Sequence, residues 1–251
     1  MVYDKLLVGA PESFGGRIMN ILFCGYREWA NTCLSGLSSS YPDADFFLVT
    51  NRRQLGFYKG SFEKFDMIFF VGWSWKVPLK LIETQKCICV HPSPLPKYRG
   101  GSPIQNQIIA GEISSRVTAF IMNEEIDAGP VLHSVPYSLR GELAAVLNNI
   151  AYASIECLSK IIDFFKVNKK LTGTPQDNSK ATYFPRRLPD QSEIKLEDFK
   201  SCKSRQIYDK IRSLQSPYPC AYVVCGDGKK LFLVAAELEN EENDNCSPRR
   251  R

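Results

Sequence analysis

Apolar residues cluster in short, dense blocks along this chain, and the blocks fall at strand-like lengths with helical patterns between them. Met19-Asn-Ile-Leu-Phe-Cys-Gly25, Asp45–Thr50 and Phe65-Asp-Met-Ile-Phe-Phe-Val71 read as three strands, the third apolar enough to be buried on both faces. A helix is expected over Trp29–Ser38. A second, Leu79–Thr84, leads into a fourth strand, Cys87-Ile-Cys-Val-His91. Strands alternating with helices at this spacing predict an α/β fold with a doubly wound, mostly parallel sheet. Beyond it, Ile104–Ala110 reads as a short helix and Arg116–Met122 as a strand. Ala144–Val167 carries the longest amphipathic pattern, with Leu147, Ile150, Ile155, Leu158, Ile161 and Ile162 expected against the sheet.

The pattern loosens at Asn168–Asn178, a polar stretch with glycine and proline where a boundary is expected. Arg205–Leu214 is then a helix. Ala221–Cys225 and Lys230–Ala236 form a hairpin with Asp227-Gly228 at its turn. This divides the chain into an α/β domain over 19–178 and a small helix-and-hairpin appendage over 179–238. Residues 1–18 read as an extension or misassigned start, because Met19 opens the first strand, and 239–251 as a loose polar tail.

Composition adds limits. With 44% hydrophobic and 24% charged residues in 251, the chain is an ordinary globular one. No window approaches a membrane span, and the opening segment lacks a secretory pattern, so a cytoplasmic protein is expected. Nine scattered cysteines suit a reducing compartment, where they serve as small buried hydrophobes. A net charge of +5, partly from Arg249–Arg251, suits an anionic small substrate and does not argue for nucleic-acid binding. Gly25-Tyr-Arg-Glu28 lacks the further glycines of a dinucleotide site, which disfavours NAD.

Candidate chemistry concentrates where the fourth strand breaks into a loop of four prolines and two glycines, His91-Pro-Ser-Pro-Leu-Pro-Lys-Tyr-Arg-Gly-Gly-Ser-Pro103. Alternation places Cys87, Cys89 and His91 on one strand face and Ile88 and Val90 on the other. His91, one of two histidines, then stands at the carboxyl end of a buried strand, where open α/β sheets place their chemistry. Asp127 sits in a turn beside Gly129. Cys87, Cys89 and His91 could be read as soft metal ligands, but their spacing is too tight for zinc and no fourth ligand suggests itself, so no metal is expected.

His91-Pro-Ser-Pro-Leu-Pro-Lys-Tyr-Arg-Gly100 resembles the active-site signature of the N10-formyltetrahydrofolate-dependent formyltransferases. Asn123-Glu-Glu-Ile-Asp127-Ala-Gly-Pro-Val-Leu132 resembles the second signature, with Asp127 lying 36 positions after His91. Arg212-Ser-Leu-Gln-Ser-Pro-Tyr-Pro-Cys-Ala-Tyr222 is similar to the helix-and-turn segment that follows the catalytic domain. The chain beyond Arg205 is too short for the barrel domain of methionyl-tRNA formyltransferases. The short version looks like the N-formyltransferases acting on nucleotide-linked amino sugars.

The resemblance implies a formyl group moving from N10-formyltetrahydrofolate to the amine of a UDP- or dTDP-amino sugar. His91, with an ordinary pKa near ~6.5, would be the general base or oxyanion donor, and Asp127 its partner. Cys89 stands where the family has asparagine, so the oxyanion slot holds only a weak S–H donor. The pterin is expected against Phe70, Gly72, Trp73, Ser74 and Trp75, and against Asn123, Glu125 and Ile126 before Asp127. The acceptor is expected along the proline loop: Ser93, Pro94, Lys97 and Tyr98, then Arg99 forking onto a diphosphate. Gly100 and Gly101 would admit substrate to the backbone, with Ser102, Pro103 and Gln105 beyond them. Arg186 and Arg187 are further diphosphate candidates. A homodimer through the terminal hairpin is possible. Two alternatives stay open: another amine, such as methionyl-tRNA or glycinamide ribonucleotide, or a catalytically silent folate-binding protein.

Overall fold

The computed structural model describes residues 18–239; the extension before it and the arginine-rich tail, both noted above, lie outside the described residues. Strands β1 (Met19–Cys24), β2 (Ala44–Val49), β3 (Met67–Val71) and β4 (Cys87–His91) form the parallel part of a six-stranded sheet. β5 (Arg99–Gly100) lies outside it. β6 (Ser114–Ile121) and β7 (Val131–Ser138) complete it, in the order β2-β1-β3-β4-β6-β7, with β4–β6 and β6–β7 antiparallel. The expected α/β, mostly parallel sheet is therefore what forms.

Side-chain alternation sorts the sheet into two cores. Ile21 and Phe23 of β1, Phe69 of β3, and Ile88 and Val90 of β4 face α1 (Glu28–Ser40) and α5 (Leu143–Asn168). Leu22, Cys24, Ile68, Phe70, Cys87 and Cys89 point the other way, toward α2 (Arg52–Phe57) and α3 (Leu79–Thr84). On α5, Ile150, Leu158, Ile161 and Ile162 are buried in the first core, and Leu147 and Ile155 pack at its edge. The amphipathic stripe thus does what its spacing predicts.

Among the elements that the sequence pattern does not mark are α2 and β7. α2 is short and contains Gly56, but Asn51 caps it by accepting from the Gln54 amide at 3.0 Å, while Gln54 Oε1 accepts from Thr50 N at 2.7 Å. β7 carries Pro136, which argues against a strand until its place is known. It is the sheet's edge, where a missing N–H can face away from the ladder.

After α4 (Pro103–Ile109) and α5 the chain makes β8 (Tyr183–Phe184), which pairs in parallel with β5, then α6 (Asp198–Ser201) and α7 (Ser204–Ser213). The hairpin β9 (Ala221–Val224) and β10 (Lys230–Leu233) closes the described chain. Ile194, Ile207, Ile211, Leu214, Ala221 and Val223 give this appendage a small core of its own.

Its anchor is a buried arginine. Asp209 Oδ1 accepts from Arg212 Nε at 2.6 Å with both side chains about 3% exposed or less, and Arg212 Nη1 reaches the carbonyls of Leu139 and Gly141 at 2.7 and 2.8 Å. Removing one partner of such a pair strands the other charge in the interior. Asp209→Ala is expected to destabilise the protein by about 3–5 kcal/mol, read as a lowered urea midpoint. A loss below about 1 kcal/mol would show that the pair does not hold the appendage to the sheet domain.

Candidate active site

β4 delivers His91 to the carboxyl edge of the sheet, opposite Thr118 of β6 and only 6% exposed. The proline loop that follows is fixed by side chains beneath it. Thr118 Oγ1 donates to the Ser93 carbonyl at 2.8 Å, Tyr137 Oη to that of Pro92 at 3.0 Å, and Gln107 Nε2 to those of Pro92 and Pro103 at 2.8 Å each. Ser93, expected to touch substrate, is fully buried, with its hydroxyl donated to the Lys97 carbonyl at 2.8 Å. It shapes the loop instead.

His91 and Asp127 meet. Nδ1 of His91 lies 3.5 Å from Asp127 Oδ2, while Nε2 is 2.9 Å from the Tyr98 carbonyl. A carbonyl can only accept, so Nε2 carries the hydrogen and, in the neutral ring, Nδ1 presents a lone pair toward Asp127. A proton gained at Nδ1 would be received against a carboxylate. Asp127 occupies the left-handed region (φ 54°), which aspartate tolerates better than most residues, and its Oδ2 also accepts from Gly100 N at 2.8 Å. Its Oδ1 has no hydrogen-bond partner among the described residues.

Behind this pair stands a brace that the sequence did not reveal. Gln176 Nε2 donates to the carbonyls of Asp127 and Gly129 at 2.9 and 2.7 Å. Its Oε1 accepts from Arg99 Nε and Nη2 at 3.1 and 2.7 Å, and Arg99 also reaches Asn178 Oδ1 at 2.9 Å and the Tyr183 hydroxyl. Arg99 is 0% exposed, so the expectation that it forks onto a diphosphate is corrected: its guanidinium is consumed inside the protein. Gly100 and Gly101 are likewise pressed by the chain itself. A Cβ on Gly100 would lie 2.4 Å from the Phe184 carbonyl oxygen, and one on Gly101 would lie 2.3 Å from Arg186 Cα.

The remaining expected contacts divide. Phe70 is buried under Trp73 (centroids 5.7 Å apart) and offers no side-chain surface. Trp73 packs edge-on against Trp75 at 4.8 Å, is half-buried, and keeps a buried indole N–H without a partner. Gly72 is in the left-handed region (φ 61°) and Ser74 accepts from Tyr26 Oη at 2.7 Å. Asn123 and Glu125 are exposed, and Ile126 is 68% exposed directly beside Asp127. Lys97 is exposed and Pro94 half-buried; Tyr98 stacks on Phe184 at 5.3 Å and donates its hydroxyl to Glu112 at 3.0 Å. Ser102 Oγ accepts from Arg187 N at 3.1 Å, Pro103 opens α4, and Gln105 is buried on it.

Cys89 lies on the His91 face, two residues before it. Burial first, and the Asp127 charge second, push its thiol pKa well up, so it is a neutral S–H group. Among the described residues no group of three or more His, Cys, Asp or Glu side chains could hold a metal ion.

A family described as Formyl transferase matches residues 59–139, and a second, Formyl transferase C-terminal domain, matches 191–248. The chain belongs to the formyl transferase family. The first match spans His91 and Asp127, and the second begins within the appendage, at residue 191. Among curated relatives, a methionyl-tRNA formyltransferase of Halalkalibacterium halodurans is 35% identical over 181 residues, covering 70% of this chain and 55% of that protein. This formyl transferase therefore spans about half the length of the curated relatives it matches. A structure of methionyl-tRNA formyltransferase from Clostridium thermocellum superposes with TM-score 0.77 at 27% identity, covering 89% of this chain and 95% of that one. A sugar N-formyltransferase from Shewanella shares the fold at 19% identity and TM-score 0.62, covering 89% of this chain and 100% of that one.

Proposed function

We propose that this protein transfers a formyl group from N10-formyltetrahydrofolate to the primary amine of a nucleotide-linked amino sugar. The observation that carries the transferase reading is the His91–Asp127 pair, 3.5 Å apart at the carboxyl edge of the sheet and set in the family's two signature stretches. The donor supplies an electrophilic formyl carbon. The acceptor nitrogen bonds to that carbon, the bond from the carbon to N10 breaks, and the acceptor's proton ends on N10. His91 holds that proton in transit at Nδ1, across from Asp127, while the Tyr98 carbonyl keeps the ring oriented. Residues 19–178 act as the catalytic unit and 179–238 as an appendage. The outer face of its hairpin, where Phe232 and Val224 are exposed, suits a second copy of the chain. No helix among the described residues is long and apolar enough to cross a membrane, and all eight described cysteines are free, which suits a reducing cytoplasm.

The oxyanion is the weak point of the site. The His91 Nε2–H is donated to Tyr98 and the Gly100 N–H to Asp127, so the nearest loop donors are committed and the neutral Cys89 S–H faces the developing charge. Restoring an amide donor with Cys89→Asn is expected to raise kcat roughly tenfold or more, within the 10²–10³ that one such donor can contribute. Complete loss of activity would instead give the thiol a required role.

A second reading, methionyl-tRNA as acceptor, is favoured by the names of the curated relatives. Against it, the net charge of +5 is modest for a polynucleotide binder. The test is a panel of UDP- and dTDP-amino sugars beside methionyl-tRNA, each with the formyl donor and scored by product mass. Formylation of the tRNA alone would overturn the sugar assignment.

A further inference from the structure

The neutral His91 ring has one hydrogen and two acceptors to give it to. The Tyr98 carbonyl lies 2.9 Å from Nε2, and the Asp127 carboxylate lies 3.5 Å from Nδ1. A carboxylate draws a donor more strongly than a carbonyl does, so the ring left to itself would turn its hydrogen to Asp127. The Tyr98 carbonyl opposes that exchange only while it stays where it is.

Its place depends on an uncommon backbone conformation. Tyr98 occupies the left-handed region (φ 59°), which disfavours a bulky side chain. Three contacts hold it there. Its N–H donates to Thr182 Oγ1 at 2.8 Å, its ring stacks on Phe184 with planes 14° apart, and its hydroxyl donates to Glu112 Oε1 at 3.0 Å. Two of the three come from the segment Thr182–Phe184, which is laced to the proline loop on both sides of Tyr98. Thr182 N donates to the Pro96 carbonyl at 3.2 Å, Arg99 N to the Thr182 carbonyl at 2.8 Å, and Gly101 N to the Phe184 carbonyl at 2.7 Å. The segment lies between the two stretches that match the family, 59–139 and 191–248.

We propose that Thr182 and Phe184 are positioning residues: by holding Tyr98 in its left-handed turn, they decide which nitrogen of His91 carries the hydrogen and keep Nδ1 open toward Asp127. This rests on the proton transit at Nδ1 put forward above. If the turn relaxes, the hydrogen passes to Nδ1, and the nitrogen that must receive the acceptor's proton is already occupied. The loss then falls on kcat and not on binding.

The test is long-range proton–nitrogen NMR of the full chain with isotope-labelled histidine, in alkaline buffer that removes the second ring proton. The chain has two histidines, and His91→Asn assigns their signals. Wild-type His91 is expected in the Nε2–H form. Thr182→Val keeps the branched shape but removes the oxygen that receives the Tyr98 amide. It is expected to bring up the Nδ1–H form and to lower kcat about tenfold, with donor KM and thermal melting unchanged, in turnover with the amino-sugar nucleotide that the panel formylates. Phe184→Ala is expected to act in the same direction, and Thr182→Ser, which keeps the hydroxyl, to behave as wild type. A wild-type ring in the Nδ1–H form, or a tautomer unmoved in both Thr182→Val and Phe184→Ala, overturns the proposal. If the tautomer moves and kcat does not, the positioning role stands and the proton transit at Nδ1 falls. If kcat falls with the tautomer unmoved, the positioning role falls and the transfer chemistry stands.

Discussion

Replacing His91 with asparagine is expected to lower kcat by about 10²–10⁴-fold, the range a positioned acid–base group contributes. Asparagine is near the ring's size and can still donate from its amide toward the Tyr98 carbonyl, so the loop keeps its shape. What it lacks is a nitrogen able to take up a proton at neutral pH. Donor binding, followed by fluorescence or calorimetry with tetrahydrofolate, is expected to stay within a few-fold of wild type, because the substitution alters none of the side chains proposed to meet the pterin. A variant retaining a tenth or more of wild-type turnover would remove the imidazole from the mechanism.

Asp127→Asn is expected to cost about 10²–10⁴-fold in kcat with little change in melting temperature, as when an orienting carboxylate becomes its amide. Asparagine accepts the left-handed conformation that Asp127 adopts, and its carbonyl oxygen can still receive the Gly100 amide, so both structural duties survive. Only the charge opposite His91 Nδ1 is lost. Asp127→Ala should reach the same low turnover but also melt earlier, since it frees the Gly100 amide and strains the turn. Equal melting for the two variants would mean that the tether to Gly100 carries no stability.

The parts of this molecule that were readable in advance are those governed by local period. Alternation in Cys87–His91 placed Ile88 and Val90 in one core and Cys87 and Cys89 in the other, and the stripe on α5 met the sheet as spaced. His91 and Asp127 were legible because two motifs mark them. β7 was not, because Pro136 looks like a strand breaker until the edge position is known. Arg99 was misread for a similar reason. A basic residue at the end of a proline-rich loop, just before two glycines, looks available to phosphate, and only the fold brings Gln176, Asn178 and Tyr183, some eighty positions away, over its guanidinium. Gln176 fell in a stretch whose polarity suggested a boundary. Thr182 and Phe184 come from beyond it and share no pattern with Tyr98, so their meeting has no one-dimensional trace.

The strut from Arg99 through Gln176 to the Asp127 carbonyl has a consequence for how turnover is organised. It fixes the reactive pair from the interior side, through contacts made within the protein itself. Preorganisation of that kind keeps the barrier low by sparing the active site any rearrangement at the moment of bond exchange. Pre-steady-state traces should therefore show the formyl step with no preceding conformational lag, leaving departure of the products to limit the cycle.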